Sequence, residues 1–269
     1  ELENNLYFCI NKEHLLHFSK NNNTPNIMVR ILLISIFLNY ANYCISQKIS
    51  GQTFFEYSVE SACALASSPF NWEAKDYSKM VAGFSLFTLA YTNDTKLYEF
   101  IQSNKGGLYD DLAWIGEKWG NGQFVGGVYA LAGISSMVWP KNTEIKMFFQ
   151  KGVVSGFYTS ATILLLKQLF QRKRPFMASN PYEFGKFWEK PHYHSLPSGH
   201  TAAAFNIATV IAHSTDKKVW GVLAYSLATL TAWSRVYDQK HWVSDVVFGG
   251  VLSTVITTTV LNSYKKRKP

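Results

Sequence analysis

Cysteine is scarce in this 269-residue chain, which has only Cys9, Cys44 and Cys63. Their spacing fits neither a zinc knuckle nor a redox pair. If the segment through Ser46 is removed, Cys63 is left alone and an internal disulfide is excluded; the cysteines are given no role. Bases interleaved with aromatics are also missing, so the formal net charge of +8 outlines no nucleic-acid groove, and nucleic acid is excluded as a partner. Strand-like alternation between turn signals is not evident, and there are no internal repeats. Nor does any apolar segment reach the ~20 clean residues that a membrane span wants.

What is present is enough apolar surface for a sizeable core. Hydrophobic residues make up 47% of the chain and aromatics 16%, which excludes a disordered chain. The basic excess collects in the tail Lys265-Lys266-Arg267-Lys268 and between Lys167 and Arg174. A basic cluster beside a concave site favours an anionic ligand; a solvated helix end is the commoner fate of such a run.

Residues 1–27 are polar and Asn-rich and read as a leader or tag. From Met28, "MVRILLISIFLNYANYCIS" offers Arg30, an apolar stretch at 31–38, and small residues at Cys44 and Ser46. That is the pattern of a secretory signal peptide over 28–46, with a retained anchor helix as the alternative. Residues 47–78 form an N-terminal helical extension, 79–264 a catalytic bundle and 265–269 a basic tail. Within the bundle six apolar segments lie near 79–92, 123–139, 152–170, 201–213, 219–233 and 246–262. They are long for strands and rich in Ala, Leu, Gly and Thr, so the expected fold is all-α, a bundle of about six core helices. If all six span a membrane after signal cleavage, Lys167–Pro175 falls in the cytoplasm. Lys141, Lys146, Lys151, Lys217, Lys218 and the tail lie at the other helix ends, and the positive-inside rule places those in the cytoplasm instead. The two signals conflict; the expected location is the cell envelope, exported, periplasmic or membrane-associated, with the site facing outside.

Three stretches carry chemistry. In "LLLKQLFQRKRPF", Lys167 and Arg174 are seven apart, which places them near one helix face, and Pro175 ends the helix. In "HYHSLPSGHTAAAF", Ser198 is suited to cap a helix starting at Gly199. The first amides of that helix point outward without intrahelical partners, which makes a phosphate cradle with His200 beside it. In "WSRVYDQKHWVSDVVFGG", Asp238 can cap a new helix. His241 and Asp245 are four apart, so a carboxylate can fix one imidazole nitrogen and leave the other free to attack. Arg235 brings a planar fork that holds two phosphate oxygens. Each stretch alone has an ordinary structural explanation. In an up-and-down bundle, however, all three fall at the same end. Cations and amides for the equatorial oxygens, a nucleophile and an acid are what displacement at phosphorus requires.

Lys167 with Arg174-Pro175, then Pro197-Ser198-Gly199-His200, then Ser234-Arg235 with His241 and Asp245, resembles the three-part signature of the type 2 phosphatidic acid phosphatase and vanadium haloperoxidase superfamily. The resemblance implies that His241 is the nucleophile of a phosphohistidine intermediate, that Asp245 orients it, and that His200 protonates the leaving alcohol. It also implies that Lys167, Arg174, Ser198, Gly199 and Arg235 hold the phosphoryl oxygens, with no metal or other cofactor. The implied substrate is a phosphorylated lipid or a small phosphomonoester, with a membrane as the expected environment. The alternatives are a haloperoxidase holding vanadate in the same site and a nonspecific, soluble exported acid phosphatase. A zinc site from His192, His194, His200 and His241 is a weaker alternative, because the first two sit on a loop without a Cys or Glu partner. Tyr182, Phe184, Phe187 and Trp188 are candidates to line a lipid-facing entrance.

Overall fold

Asparagines and a serine set where the main helices begin. Asn121 accepts the Gln123 amide at 2.8 Å, Asn142 accepts the Ile145 amide at 3.1 Å, and Ser198 accepts the Thr201 amide at 3.4 Å, each filling one donor that the first turn leaves unpaired. The computed structural model describes residues 54–186 and 194–265. The signal segment, the leader, Phe187, Trp188, His192 and the tail from Lys266 lie outside the described residues. Within them are nine α-helices: α1 Phe54–Ser67, α2 Ala74–Thr92, α3 Asp94–Gln102, α4 Leu108–Trp119, α5 Gly122–Val138, α6 Thr143–Phe170, α7 Gly199–Ser214, α8 Lys218–Tyr237 and α9 Val243–Lys265. The described residues contain no β-strand; one antiparallel bridge joins Arg172 to Phe184. The all-α expectation holds, and all six expected segments are helices. Three further helices, α1, α3 and α4, join them.

Several helices outrun their apolar segments. The third was expected over 152–170, yet α6 has 28 residues, about 42 Å at 1.5 Å per residue. Its polar N-terminal turns continue the helix because the Asn142 cap sits well before the apolar stretch begins.

The middle of the bundle is α7, which packs against α6, α8 and α9. Small side chains allow this: Ala204 and Ala208 meet Ala224 and Ala228 of α8, all four buried. A methyl group on Gly152 would sit 2.1 Å from the Tyr129 ring, so glycine lets α5 and α6 close on each other. Asn206 then joins four helices. It accepts from the Tyr129 hydroxyl at 2.9 Å and donates to the Ser155 and Thr257 hydroxyls at 2.9 Å each. Satisfying that buried amide requires one register of α5, α6, α7 and α9. Helix α1 docks on α9 through Tyr57, whose hydroxyl donates to the Val260 carbonyl at 3.1 Å.

The outer faces are apolar. Phe84, Leu131, Phe157, Leu164 and Val222 are each more than 60% exposed. Among the described residues, two helices, Thr143–Phe170 and Val243–Tyr264, are long and apolar enough to cross a membrane.

Candidate active site

The chain reaches the site end of the bundle by leaving α6 at Phe170. Gln171 takes a left-handed conformation (φ 47°) and Arg172 to Arg174 then run extended into a 3-10 turn, Pro175–Met177. Lys167 and Arg174 are therefore not on one helix face, as their spacing suggested: the helix stops four residues before Arg174, and the αL turn at Gln171 redirects the chain from Arg172 onward. Both cations nonetheless act on the same groups. Each lies within electrostatic reach of His241 and Asp245.

Lys167 is buried and donates from Nζ to the His194 carbonyl. Across from it is the N-terminus of α7. A Cβ placed on Gly199 would lie 3.9 Å from Lys167 Cε and 3.9 Å from Ile163 Cγ2, so a side chain there would project between the helix amides and the ammonium. The N-cap Ser198 is fully buried, and its own amide donates to the Asp245 carbonyl at 3.0 Å. Gly249 completes this junction: its Cβ would stand 2.6 Å from the Ser198 carbonyl oxygen. Helix α9 thus carries the cap of α7 directly on its backbone.

The third stretch folds back on Arg235. The carbonyl of Arg235 accepts the amides of Lys240 at 2.9 Å and His241 at 3.2 Å, with Gln239 left-handed at φ 59°. Asp238 does not start a helix. It is the C-cap of α8, and its carboxylate takes Arg235 Nη2 at 2.7 Å. His241 precedes α9, so it and Asp245 do not share a helix face. Asp245 occupies the third position of α9 and reaches back to accept the Trp242 amide at 2.9 Å, half of a capping box. His241 Nδ1 lies 3.7 Å from Asp245 Oδ2, beyond hydrogen-bond range, and is buried without a hydrogen-bond partner. The reason is that Asp245 is already engaged. Its Oδ1 takes Arg172 Nη1 at 2.7 Å, while Oδ2 takes the Ser195 hydroxyl and the Trp242 amide.

Burial pushes His241 down to about 3, with Lys167 and Arg174 adding to the effect against Asp245, so the ring is neutral at ordinary pH. Burial and then the charge of Arg235 push His200 down to about 4, with Glu117 of α4 opposing. Burial also lowers Arg174, against the pull of Asp245. Its Nε is buried and unpartnered.

Sequence reasoning missed an inner group. Arg172 is fully buried among Tyr91, Phe184 and Trp242 and pairs with Asp94 at 2.7 Å as well as with Asp245. Burial works against its charge, yet Asp245 and Asp94 outweigh that and raise its pKa. Ser195, Ser244 and Glu117 were missed too. The only sequence signal was the run of bases "QRKR", which does not say which base turns inward. Among the described residues no group of three or more His, Cys, Asp or Glu is placed to hold a metal. Tyr182 and Phe184 are about half exposed, and the Tyr182 ring packs edge-on against Tyr91.

The described residues form a helical bundle with cations, a helix N-terminus and two imidazoles gathered at one end. Residues 152–269 match the PAP2 superfamily. The chain is similar to the lipid A 1-phosphatase of Porphyromonas gingivalis, with 33% identity over 78 residues, 28% of this chain and 18% of that one. It is also similar to the undecaprenyl-diphosphatase of Sulfolobus acidocaldarius, with 29% identity over 127 residues, 45% of this chain and 60% of that one. The chain thus spans less than two thirds of either relative. Among solved structures it resembles the transmembrane PAP2 type phosphatidylglycerolphosphate phosphatase of Bacillus subtilis, with a TM-score of 0.55 and 20% identity over 71% of this chain and 98% of that one. That likeness concerns the fold.

Proposed function

We propose that the protein is a phosphatase of lipid phosphates or lipid diphosphates, working through a phosphohistidine on His241. The observation that carries this reading is the convergence of Lys167, Arg174 and Arg235, the amide end of α7 and two imidazoles at one end of the bundle. His241 is neutral and its Nδ1 faces Asp245, so Nε2 is the free nitrogen. It attacks phosphorus, and the bond from phosphorus to the leaving oxygen breaks. The three cations, the Gly199 amide and the Ser198 hydroxyl hold the equatorial oxygens. His200 gives its proton to the leaving alkoxide and then takes one from the water that cleaves the P–N bond, releasing phosphate. A dianionic phosphoryl group among the cations opposes their field and draws the pKa of His200 back up, so that it binds substrate as an acid. In this reading the three side-chain cations neutralise the phosphoryl charge and the residues require no metal.

A lipid substrate is supported by the exposed apolar side chains of the outer faces, Phe84, Leu131, Phe157, Leu164 and Val222 among them, and by α6 and α9 as candidate spans. By connectivity Lys141, Lys146, Lys217 and Lys218 lie at the end of the bundle opposite the site. The positive-inside rule then turns the site outward, toward the exterior of the cell envelope. The relatives' printed names, lipid A 1-phosphatase and undecaprenyl-diphosphatase, point to the same substrate class. The test is phosphate release from phosphatidate, phosphatidylglycerophosphate, a polyprenyl diphosphate and p-nitrophenyl phosphate, with wild type and His241→Ala. Turnover of the lipids that vanishes in the folded variant is expected. Equal turnover by His241→Ala overturns the mechanism, and release from p-nitrophenyl phosphate alone overturns the lipid assignment.

A further inference from the structure

The matched family region begins at residue 152, yet one fully buried member of the site's inner network lies well before it. Asp94 opens α3, about 150 residues upstream of α9. Its Oδ1 accepts the Ser244 amide at 2.8 Å, and its Oδ2 accepts Arg172 Nη2 at 2.7 Å and the Ser244 hydroxyl. Ser244 is the second residue of α9, so its amide is one of the donors that a helix start leaves without an intrahelical partner. Asp94 therefore caps α9 from another helix. Through Arg172, whose Nη1 takes Ser244 Oγ and Asp245 Oδ1 at 2.7 Å each, it also holds the guanidinium that grips Asp245.

We infer that Asp94 is a positioning residue for the reaction at His241. Through Arg172 and Ser244 it fixes the first turn of α9, so that Asp245 presents Oδ2 toward His241 Nδ1. Two independent contacts converge on this role, a helix cap in trans and a buried ion pair, and both end on the turn that carries Asp245. When His241 attacks, positive charge develops on its ring, and a carboxylate held in place stabilises that charge without reorganising. Removing Asp94 leaves Arg172 with one carboxylate and frees the α9 terminus to shift. A displacement of well under an ångström at the nucleophile is enough to lower turnover.

The inference rests on the phosphatase reading, and its test is built to separate the two. Asp94→Asn is made in the wild-type and Asp245→Asn backgrounds, and kcat and KM are measured for a lipid phosphate. Expected in the wild-type background is a fall in kcat of about tenfold or more with KM within about threefold. In the Asp245→Asn background the same change adds less than about threefold, because Asp94 acts through the residue already lost. A merely structural role lowers kcat by the same factor in both backgrounds. Orthovanadate affinity, measured by titration calorimetry through the same four variants, gives a second readout that needs no turnover. Wild type without turnover defeats the phosphatase reading, and the orthovanadate cycle then decides this one. If Asp94→Asn does not fold, Ser244→Ala takes its place in the cycle, since it removes the hydroxyl shared by Arg172 and Asp94 and leaves both ion pairs. Equal effects in both backgrounds, or wild-type kcat in the single variant, overturn the inference.

Discussion

Replacing Arg172 with methionine keeps an unbranched, flexible stem that ends about two bonds short of the terminal guanidinium nitrogens, and removes the charge. In the protein that charge lies between Asp94 and Asp245, both with side chains 0% exposed, at 2.7 Å from each. The substitution leaves two carboxylates buried with no cation between them. Breaking a buried pair in this way costs about 3–5 kcal/mol, because the remaining charge keeps its desolvation penalty and loses what offset it. At about 2–4 °C per kcal/mol for a domain of this size, the melting temperature should fall by roughly 6–20 °C, read by circular dichroism at 222 nm in detergent micelles. Acid provides the check on cause. The orphaned Asp94 carboxyl has a folded pKa raised above its unfolded value, so protonation relieves it, and the gap between variant and wild type should narrow as pH falls from 7 toward 4. Arg172→Lys keeps a charge that cannot fork to both partners and should fall between the two. A methionine variant melting within 2 °C of wild type, with a gap that is flat in pH, refutes the buried network.

Three further outcomes are expected from the same geometry. His200→Ala should slow substrates with poor leaving groups most, measured as the slope of log kcat against leaving-group pKa across aryl and alkyl phosphates; an unchanged slope contradicts its role as acid. His241 has a folded value near 3 against about 6.5 unfolded, so between those limits the unfolded chain binds the extra proton and acid destabilises the fold. Stability should drop by about 1.4 kcal/mol per pH unit over that window, and His241→Asn, which does not titrate, should lose this slope; parallel curves for the two proteins refute it. Gly249→Ala places a Cβ 2.6 Å from the Ser198 carbonyl, so the start of α7 must move. We expect at least about a tenfold loss of kcat/KM, with a lower melting temperature, and wild-type kinetics would show that the junction tolerates displacement.

The six long helices were legible because apolar residues recur through them without strand-like alternation. Helices α3 and α4 were not. They are short, carry acidic and aromatic residues on exposed faces, and are fixed by what they touch: Asp94 by the start of α9, and Gly116 and Gly120 by α8 and the His200 carbonyl. The spacing of His241 and Asp245 pointed to a pair, and the two side chains do face each other. Spacing alone did not reveal that α9 begins after His241, nor that Asp245 is engaged by Arg172, Ser195 and the Trp242 amide. Arg172 and Arg174 are two residues apart and chemically alike. Which one turns into the core depends on the left-handed residue at Gln171, and a glutamine in αL leaves no sequence signature.

The division of labour among the cations is set by which of them meets a carboxylate. Arg172 spends its charge on Asp94 and Asp245, and Arg235 shares its own with Asp238. Lys167 donates to a carbonyl, which is polar but carries no charge, and Arg174 keeps a buried Nε without a partner. Beside the neutral rings of His200 and His241, the part of the site around the α7 amides is therefore left positive. Two buried cations in that condition repel each other and are poorly solvated, a cost that an anion with about two negative charges removes. A phosphate monoester dianion supplies that charge and oxygens in several directions at once. A carboxylate brings a single charge and two coplanar oxygens, so it leaves part of the cost in place. In the phosphatase reading proposed above, this surplus of charge favours phosphoryl groups before any feature of the alcohol is read. In that reading, discrimination among lipid phosphates comes from the surface surrounding the charged group.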